Sequence, residues 1–387
     1  MLAFLLLIPC VVWIASAALA LRSITAIPQL TELHPSAPQH WPRVSVIVPA
    51  CNEAATLPEA AAKLTALDYP NLELIFVDDR STDGTTAIVD DLAARDERTV
   101  AVHVTELPTD WLGKPHAMER GLEAATGEWV LFTDADVHFA PQTLRDAIAW
   151  SVAEEVDHLT VLPDLDADGF ALQATLASFG RYFTLGQHLW KVNDDNSSAS
   201  VGVGAFNLVR RSALQQTAGL PWLALETVDD LALGQLMKAS GAKSRVLWGQ
   251  DALAVHWYPT LSEMTVGLEK NTFPAVGCSL WRLAAMALVI LFLDWTPVGI
   301  LLFPSLPLWL RAASLITIVV CLLSGAWIAR WARRPLAPAL AVPLGSAIMA
   351  FILLRSGIVG AARGGVRWRG TFYPSELLRR GSRVKLF

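Results

Sequence analysis

Three pairs of acidic side chains in the middle of the chain are spaced so that each pair can act together chemically. Carboxylate oxygens are the ligands that Mg²⁺ prefers in proteins, and they also suit Mn²⁺. A carboxylate can also remove a proton from a hydroxyl group. The pairs are Asp78 with Asp79, Asp134 with Asp136, and Asp229 with Asp230.

The spacing of Asp134 and Asp136 predicts a metal site. These residues follow an apolar run at 129–133, and side chains two positions apart on a strand point to the same face. We therefore expect them to bind Mg²⁺ or Mn²⁺ together with substrate phosphates, although a solvated turn would have the same sequence. His256 follows another apolar run and is a candidate third metal ligand, with a purely structural histidine as the alternative.

The chain lacks the glycine-rich loops of ordinary ATP and dinucleotide sites, so side chains and a metal must neutralise any bound diphosphate. Lys114, at the start of a predicted helix, is a candidate nucleotide contact, or else a surface lysine. Asp229 and Asp230 open a predicted helix. They could supply a general base, or could simply compensate the dipole of that helix.

Strands and helices alternate along the middle of the chain, which predicts a doubly wound, mostly parallel α/β sheet. In such sheets ligands bind beyond the carboxyl ends of the strands, and the acidic pairs lie there. Pro49, Asn52 and Glu53 end the first strand and share this edge. Strands are expected at 44–48, 72–77, 100–104 and 129–133, and helices at 57–67, 115–125 and from about 229.

Hydrophobic residues make up 53% of the 387 residues, and long apolar segments lie near both ends of the sequence. Such segments are long enough to cross a bilayer. Asp294 and Pro297 are expected to interrupt the second segment, which makes 281–310 the candidate for an interfacial or re-entrant segment and leaves the number of crossings open. The segments are 1–20, 281–303, 312–329 and 336–359.

The pattern of charge predicts how the chain is divided and where it lies. The net charge of −6 combines an acidic middle with a basic end, and a basic run beside apolar segments favours lipid headgroups over nucleic acid. Four scattered cysteines without a CxxC pair favour a domain that faces the cytosol, in an inner-membrane protein. The expected parts are an anchor (1–22), a linker (23–42), an α/β domain (43–272), membrane helices (273–362) and a basic cytoplasmic tail (363–387).

Five stretches together resemble the family 2 glycosyltransferases of the GT-A fold: VSVIVPACNEA (44–54), VDDRSTDGT (77–85), GKPHAMERGLEAATGEWVLFTDAD (113–136), VGVGAFNLVRR (201–211) and VDDLALG (228–234). The resemblance implies that Asp79 contacts the nucleotide, supported by Pro49, Asn52, Glu53 and Asp78. It also implies that Asp134 and Asp136 hold the donor diphosphate and metal. Asp230 matches the general base of an inverting transfer, with Asp229 as the alternative.

The resemblance further implies the substrates. The Gln-x-x-Arg-Trp motif of the processive synthases is missing from 266–273, which argues against chain polymerisation. The C-terminal part looks like the branch that glycosylates lipids, including carotenoid, hopanoid-associated and ceramide-type glucosyltransferases. We therefore expect non-processive transfer of a hexose from a nucleotide-sugar, expected to be a UDP-sugar, to a lipid at the membrane. The alternatives are an inactive membrane assembly protein and a metal-dependent lipid phosphotransferase.

Overall fold

The computed structural model describes residues 2–384, which form an α/β domain, a group of long apolar helices and a small C-terminal hairpin. The elements, in chain order, are α1 (Leu2–Ala26), β1 (Val44–Ala50), α2 (Leu57–Thr65), β2 (Leu72–Asp79), α3 (Thr85–Arg95), β3 (Thr99–Val104), α4 (Gly113–Ala124), β4 (Trp129–Phe132), β5 (Val137–Phe139), α5 (Thr143–Ala153), β6 (His158–Leu162), β7 (Asp164–Leu165), α6 (Phe170–Gly186), β8 (Asn207–Arg210), α7 (Arg211–Gln215), α8 (Asp229–Ala239), β9 (Ser244–Trp248), β10 (Leu253–Val255), α9 (Leu261–Gly267), α10 (Glu269–Ala275), α11 (Leu280–Leu302), α12 (Leu308–Trp331), α13 (Leu336–Leu340), α14 (Val342–Arg363), β11 (Gly365–Trp368), β12 (Thr371–Pro374) and α15 (Ser375–Gly381).

The main sheet has seven strands in the order β3-β2-β1-β4-β8-β6-β9. The first four strands of that order run parallel, and β8 is antiparallel to both of its neighbours. The parallel strands are apolar and largely buried, as expected for a sheet covered by helices on both faces. Helices α2, α3 and α5 pack on one face, and α4 and α8 on the other. The predicted fold class is confirmed.

Two smaller sheets complete the framework around the strand ends. In the first sheet, β10 pairs antiparallel with β5 and parallel with β7, so the segment that follows Asp136 is held against the end of β10. The second is the β11–β12 hairpin. Within the predicted basic tail, this hairpin and α15 are folded, and the segment contacts the α/β domain through Arg369 to Cys51 and the amide of Arg383 to Glu226.

Four helices among the described residues are long and apolar enough to cross a membrane: α1, α11, α12 and α14. The first extends to Ala26, beyond the expected end of the anchor at residue 22. Between α12 and α14 the chain forms the short helix α13, so the expected single segment at 336–359 is divided. Residues 23–42 contain the end of α1 and a 3₁₀ turn at Leu30–Glu32 as well as extended chain.

The expected interruption of the second apolar segment is wrong, because α11 continues through both Asp294 and Pro297. Proline cannot donate to the carbonyl four residues earlier, and the indole N–H of Trp13 donates to that carbonyl, of Leu293, at 3.0 Å. Asp294 is buried, but its carboxylate accepts hydrogen bonds from Arg181 at 2.6 Å and Tyr182 at 2.7 Å. Partners distant in the sequence therefore satisfy both helix-breaking groups.

The Arg181–Asp294 pair gives the first prediction. Asp294→Leu leaves the Arg181 guanidinium buried without its carboxylate, so the free energy of unfolding should fall by about 3–5 kcal/mol. The double variant Arg181→Met/Asp294→Leu should recover most of that loss, because no unpaired charge remains. Thermal unfolding in detergent, followed by circular dichroism, measures both effects.

The matched control is the exposed ion pair between Arg333 and Asp251. Asp251→Asn should change the free energy of unfolding by less than about 1 kcal/mol, because solvent screens an exposed pair. A loss as large as that of Asp294→Leu, or a double variant no more stable than the single one, would contradict the structural role of the buried pair.

Candidate active site at the strand ends

The three acidic pairs predicted from the sequence meet at one edge of the main sheet. Strand β1 pairs in parallel with both β2 and β4, so the segments after the three strands lie side by side. The third pair begins α8, which packs on the face of the sheet that also carries α4. We refer to this edge, with Asp78, Asp79, Asp134, Asp136, Asp229 and Asp230, as the acidic rim.

Lys114 links two of the acidic pairs. Its Nζ lies 2.7 Å from an oxygen of Asp134 and 3.2 Å from an oxygen of Asp229. Burial alone would lower the pKa of Lys114, but the carboxylates of Asp134, Asp229 and Asp230 outweigh burial and raise that pKa. The candidate nucleotide contact is therefore a charged lysine at the centre of the acidic rim, not a surface lysine.

The carboxylate of Asp230 is held by backbone amides. The amide of Gly204 donates to its Oδ2 at 2.9 Å, and the amide of Leu231 donates to its Oδ1 at 2.8 Å. Burial, followed by repulsion from Asp229, raises the pKa of Asp230 to about 6. Asp230 thus has the fixed orientation and near-neutral pKa that suit a general base.

In the described part of the chain, Asp136 is a rim carboxylate without a directly paired cation. Lys114 contacts Asp134, whereas within residues 2–384 no lysine or arginine forms an ion pair with Asp136. Burial, then repulsion from Asp134 and Glu53, raises the pKa of Asp136 to about 7. Two carboxylates this close, one of them uncompensated, are the hard oxygen donors that a divalent cation stabilises, so the residues present fit Mg²⁺ or Mn²⁺.

His256 is not grouped with these carboxylates in the structure. Val255 pairs with Val137, so the next register position brings the backbone of His256 opposite Asp136. The imidazole, however, lies 3.9 Å from Asp168. The described residues contain no group of three or more His, Cys, Asp or Glu side chains arranged to hold a metal, so ligation by His256 stays a prediction.

The expected nucleotide end of the rim has its own network of hydrogen bonds. Asp79 is buried and accepts hydrogen bonds from Arg80 at 2.8 and 3.0 Å. Asp78 is also buried, and it accepts from the Thr86 hydroxyl at 2.7 Å, so it holds the loop that precedes α3. Asn52 accepts from the amide of Thr82 at 2.8 Å.

These contacts connect the segments after β1 and β2. Asp78 and Asn52 therefore shape this end, while Asp79 and its arginine face the start of α4. A Cβ at Gly113 would lie 2.4 Å from the Asp79 carboxylate.

The C-terminal hairpin contacts the segment that follows β1, next to the rim. Arg369 donates to the carbonyl of Cys51 and to the carboxylate of Glu53. Pro49 lies two residues before Cys51, beside Lys114 and Asp134 in a small recess.

Lys270, on α10, lies over the ring of Trp368 at 4.1 Å from its centroid. Burial, together with nearby Lys114, lowers the pKa of Lys270 to about 8. The hairpin and α10 thus bring two cationic side chains to the acidic rim.

Three residues that bring the rim together were not identified from the sequence. A Cβ at Gly204 would lie 2.2 Å from an oxygen of Asp134, and one at Gly202 would lie 1.9 Å from the carbonyl of Asp230. The side chain of Asn207 donates to that same carbonyl at 3.0 Å. The sequence feature that could have identified these residues is the pair of glycines, two positions apart, that precedes a strand within 201–207.

A cavity of about 630 Å³ opens onto the rim and extends between the long helices. Asp134, Asp136 and Asp230 lie at its polar end, whereas Asp229 is not part of its wall. The remaining wall is mostly apolar, and it includes residues of α1, α6, α10, α11, α12, α13 and α14. The site therefore joins a charged pocket to an apolar one.

The fold and site define an α/β domain that binds ligands at its strand ends, of the GT-A type. A mannosyltransferase from Pyrobaculum calidifontis, solved with GDP-mannose and Mn²⁺, has the same fold, with a TM-score of 0.51 and 20% identity over 94% of this chain and 99% of that one. Residues 45–217 match the family model for glycosyl transferase family 2. The chain thus contains a family 2 glycosyltransferase domain.

Curated relatives match parts of the chain. A 4,4'-diaponeurosporenoate glycosyltransferase of Staphylococcus haemolyticus is 24% identical over 252 residues, which is 65% of this chain and 66% of the relative. A beta-monoglucosyldiacylglycerol synthase of a Nostoc species is 28% identical over 50% of this chain and 40% of the relative. A poly(ribitol-phosphate) beta-N-acetylglucosaminyltransferase of Staphylococcus aureus is 35% identical over 31% of this chain, and only 20% of that relative is matched.

The close approach of Gly204 gives the second prediction. Gly204→Ala should displace the carboxylate of Asp134 and weaken the amide contact to Asp230, because a Cβ has no room there. We expect turnover of the labelled nucleotide-sugar that the enzyme uses to fall at least about tenfold, with the melting temperature nearly unchanged. Gly299→Ala in α11 is the control, since nothing lies within 4 Å of a Cβ at that position and Gly299 does not line the cavity described above. Equal activity in the two variants would show that the close approach of Gly204 to Asp134 is not required for turnover.

Proposed function

We propose that this protein is an inverting, non-processive glycosyltransferase that moves a hexose from a nucleotide-sugar to a lipid acceptor at a membrane. The observation that carries the proposal is that the same cavity is lined by Asp134, Asp136 and Asp230 and by apolar residues of the long helices. A charged donor fits the acidic rim with its lysines, and a hydrophobic acceptor fits the apolar part.

The donor occupies the rim in this proposal. Asp79 lies at the nucleotide end with Pro49, Asn52 and Glu53, and the diphosphate lies near Asp134, where Lys114, Lys270 and Arg369 converge. Their charges oppose the negative charge that builds up on the leaving nucleoside diphosphate. The donor is expected to be a UDP-sugar; the Pyrobaculum enzyme of the same fold was solved with GDP-mannose.

Asp134 and Asp136 hold a divalent cation in the proposed complex, with His256 as a further candidate ligand. A bound Mg²⁺ or Mn²⁺ would neutralise charge on the diphosphate oxygens. The uncompensated carboxylate of Asp136 supports this assignment, because a buried carboxylate without a cationic partner is unfavourable.

Asp230 is the proposed general base. It takes the proton from the acceptor hydroxyl, whose oxygen forms a bond to the anomeric carbon while the bond to the diphosphate breaks. The nucleoside diphosphate leaves with the bonding electrons, and one displacement inverts the anomeric centre. Two observations favour Asp230 over Asp229: Asp230 borders the cavity, and Asp229 is buried against Lys114.

A lipid acceptor is supported by the membrane helices and by two of the similar proteins. The Staphylococcus haemolyticus relative is a 4,4'-diaponeurosporenoate glycosyltransferase, and the Nostoc relative is a beta-monoglucosyldiacylglycerol synthase. The α/β domain is proposed to face the cytoplasm at the inner membrane, where nucleotide-sugars are available to it. The rival functions, an inactive assembly protein and a phosphotransferase, predict no sugar transfer.

The acidic pair at the start of α8 gives the third prediction. Asp230→Asn should lower kcat for transfer by about 10²–10⁴-fold, because the acceptor hydroxyl loses its base. Asp229→Asn should chiefly change KM for the donor rather than kcat, since it removes one of the two carboxylates that position Lys114. Purified protein in lipid nanodiscs, a labelled nucleotide-sugar panel and a lipid extract provide the assay.

This comparison also tests the function itself. If neither transfer nor hydrolysis of any nucleotide-sugar occurs in the native protein, the proposed function is wrong. If Asp229→Asn loses kcat and Asp230→Asn keeps it, the transferase proposal stands but the base is misassigned. Melting temperatures of both variants within a few degrees of the native protein are required as the folding control.

The apolar cavity gives the fourth prediction. Ser324 lines it from α12, and Ser324→Trp should fill space that the acceptor needs. KM for the lipid acceptor should rise at least about tenfold, while hydrolysis of the donor in water stays unchanged. The matched control is Leu323→Trp, because Leu323 is 66% exposed on the outer surface of the same helix. A similar change of KM in both variants would exclude the cavity as the acceptor site.

A further inference from the structure

Both ends of the apolar C-terminal region are attached to the α/β domain. At the first end, the carbonyl of Cys278, just before α11, accepts a hydrogen bond from Arg379 at 3.3 Å. At the second end, Arg363 lies 3.2 Å from Glu269, and the hairpin that follows is bound to Glu53 through Arg369. A chain that leaves and re-enters on one side of a membrane crosses it an even number of times. Three candidate helices, α11, α12 and α14, lie between these ends.

Helices α11 and α12 form the outgoing and returning crossings. The turn between them, residues 303–307, carries no charge, and Leu302 and Leu308 beside it are 73% and 78% exposed. At the other end of α12 the chain is again at the α/β domain, where Gln250 donates to the carbonyl of Trp331 at 3.0 Å and Arg333 pairs with Asp251 at 2.7 Å. The α11–α12 pair thus accounts for two crossings.

The rest of the region starts and ends on the side of the α/β domain. Arg334 precedes α13 and lies 2.9 Å from Asp166, and Arg363 ends α14 beside Glu269. We infer that α13 and α14 form a re-entrant segment that enters the membrane from the side of the α/β domain and returns to it without crossing. The described chain then crosses three times, through α1, α11 and α12.

The packing of α14 supports this arrangement. Its first half lies against α6, where a Cβ at Gly345 would be 2.1 Å from the carbonyl of Ala174. Its second half lies against α10, where Ser356 and Thr272 share a hydrogen bond of 2.7 Å. Only residues 335–341 lie between Arg334 and α14, and five of them form α13, so this connection is too short to carry the chain across a bilayer about 30 Å thick. Helix α14 therefore cannot begin on the surface opposite the α/β domain.

Helix α1, in contrast, extends to the far end of the α11–α12 pair. Cys10, in its first half, packs with Ile300 near the end of α11 and Leu310 near the start of α12. Ile27, just after α1, packs into a cluster of the α/β domain. Helix α1 therefore reaches from the α/β domain to the turn between α11 and α12, as a crossing helix must.

The outer face of α14 fits lipid acyl chains of the leaflet next to the α/β domain. Leu344, Phe351 and Ile358 are exposed at intervals of seven residues, which puts them on one face of the helix. Helix α11, which packs against α14, also exposes large apolar side chains such as Leu288 and Phe292, so the occupant of this face is the bilayer. The arrangement also places the arginines at 330, 333, 334 and 363–383 on one side, which the positive-inside tendency assigns to the cytoplasm.

Cysteine labelling in sealed vesicles tests the inference, which is independent of transfer activity. Single variants Glu59→Cys in α2, Ser305→Cys in the α11–α12 turn, Arg333→Cys and Arg380→Cys all change exposed residues. The full-length variants are treated with a membrane-impermeant maleimide in inverted and in right-side-out vesicles. Three native cysteines are buried and the fourth, Cys321, lies within α12, so the native protein is the blank.

We expect cysteines at 59, 333 and 380 to react from one side and the cysteine at 305 to react only from the other. Reaction of position 380 from the same side as 305 would show that α14 crosses and would overturn the inference. Reaction of 305 and 59 from the same side would overturn it too, as would protection of 380 from both sides. Each of these outcomes leaves the result of the transfer assay unaffected, so failure of this inference and failure of the proposed function are distinguishable.

Discussion

The structure depends on how the negative charge of the acidic rim is compensated. Asp134, Asp136, Asp229 and Asp230 lie close together in a partly buried pocket, and Lys114 contacts two of them directly. Like charges in a low-dielectric site repel strongly, so this arrangement is costly without further positive charge. The raised pKa values of Asp136 and Asp230 express that cost. A site built this way is suited to bind a cation and a ligand that carries one.

Close backbone approaches make that concentration of charge geometrically possible. The segment before β8 passes so near to Asp134 and Asp230 that only glycine fits at 202 and 204. A third glycine, Gly234 on α8, has the carbonyl of Val201 within 2.4 Å of its missing Cβ. The helix that carries Asp230 can therefore lie directly against the segment that supports Asp134. Without these glycines the proposed general base and the proposed diphosphate site would lie farther apart.

The local pattern of apolar and polar residues was enough to predict the sheet. Buried parallel strands require β-branched apolar runs such as 44–48, and parallel strands need connecting helices between them. It also placed Asp134 and Asp79 at one edge. It failed where a distant side chain decides the outcome. Asp294 and Pro297 look like a helix break, but Arg181 and Trp13 satisfy them from more than 100 residues away. The folded hairpin around Arg369 was missed for the same reason, since its partners Cys51 and Glu53 lie near the start of the α/β domain.

The helix α10 connects the membrane segments to the charged site. Lys270 reaches the rim beside Trp368, while the preceding residue, Glu269, pairs with Arg355 and Arg363 on α14. The next residue, Asn271, lines the apolar cavity. Glu269, Lys270 and Asn271 thus contact α14, the rim and the cavity, respectively. Because a short helix moves as a unit, a shift of α14 against the bilayer would also move a cation at the rim. The membrane helices therefore do more than anchor the domain: they form part of the wall of the site and support one of its charges.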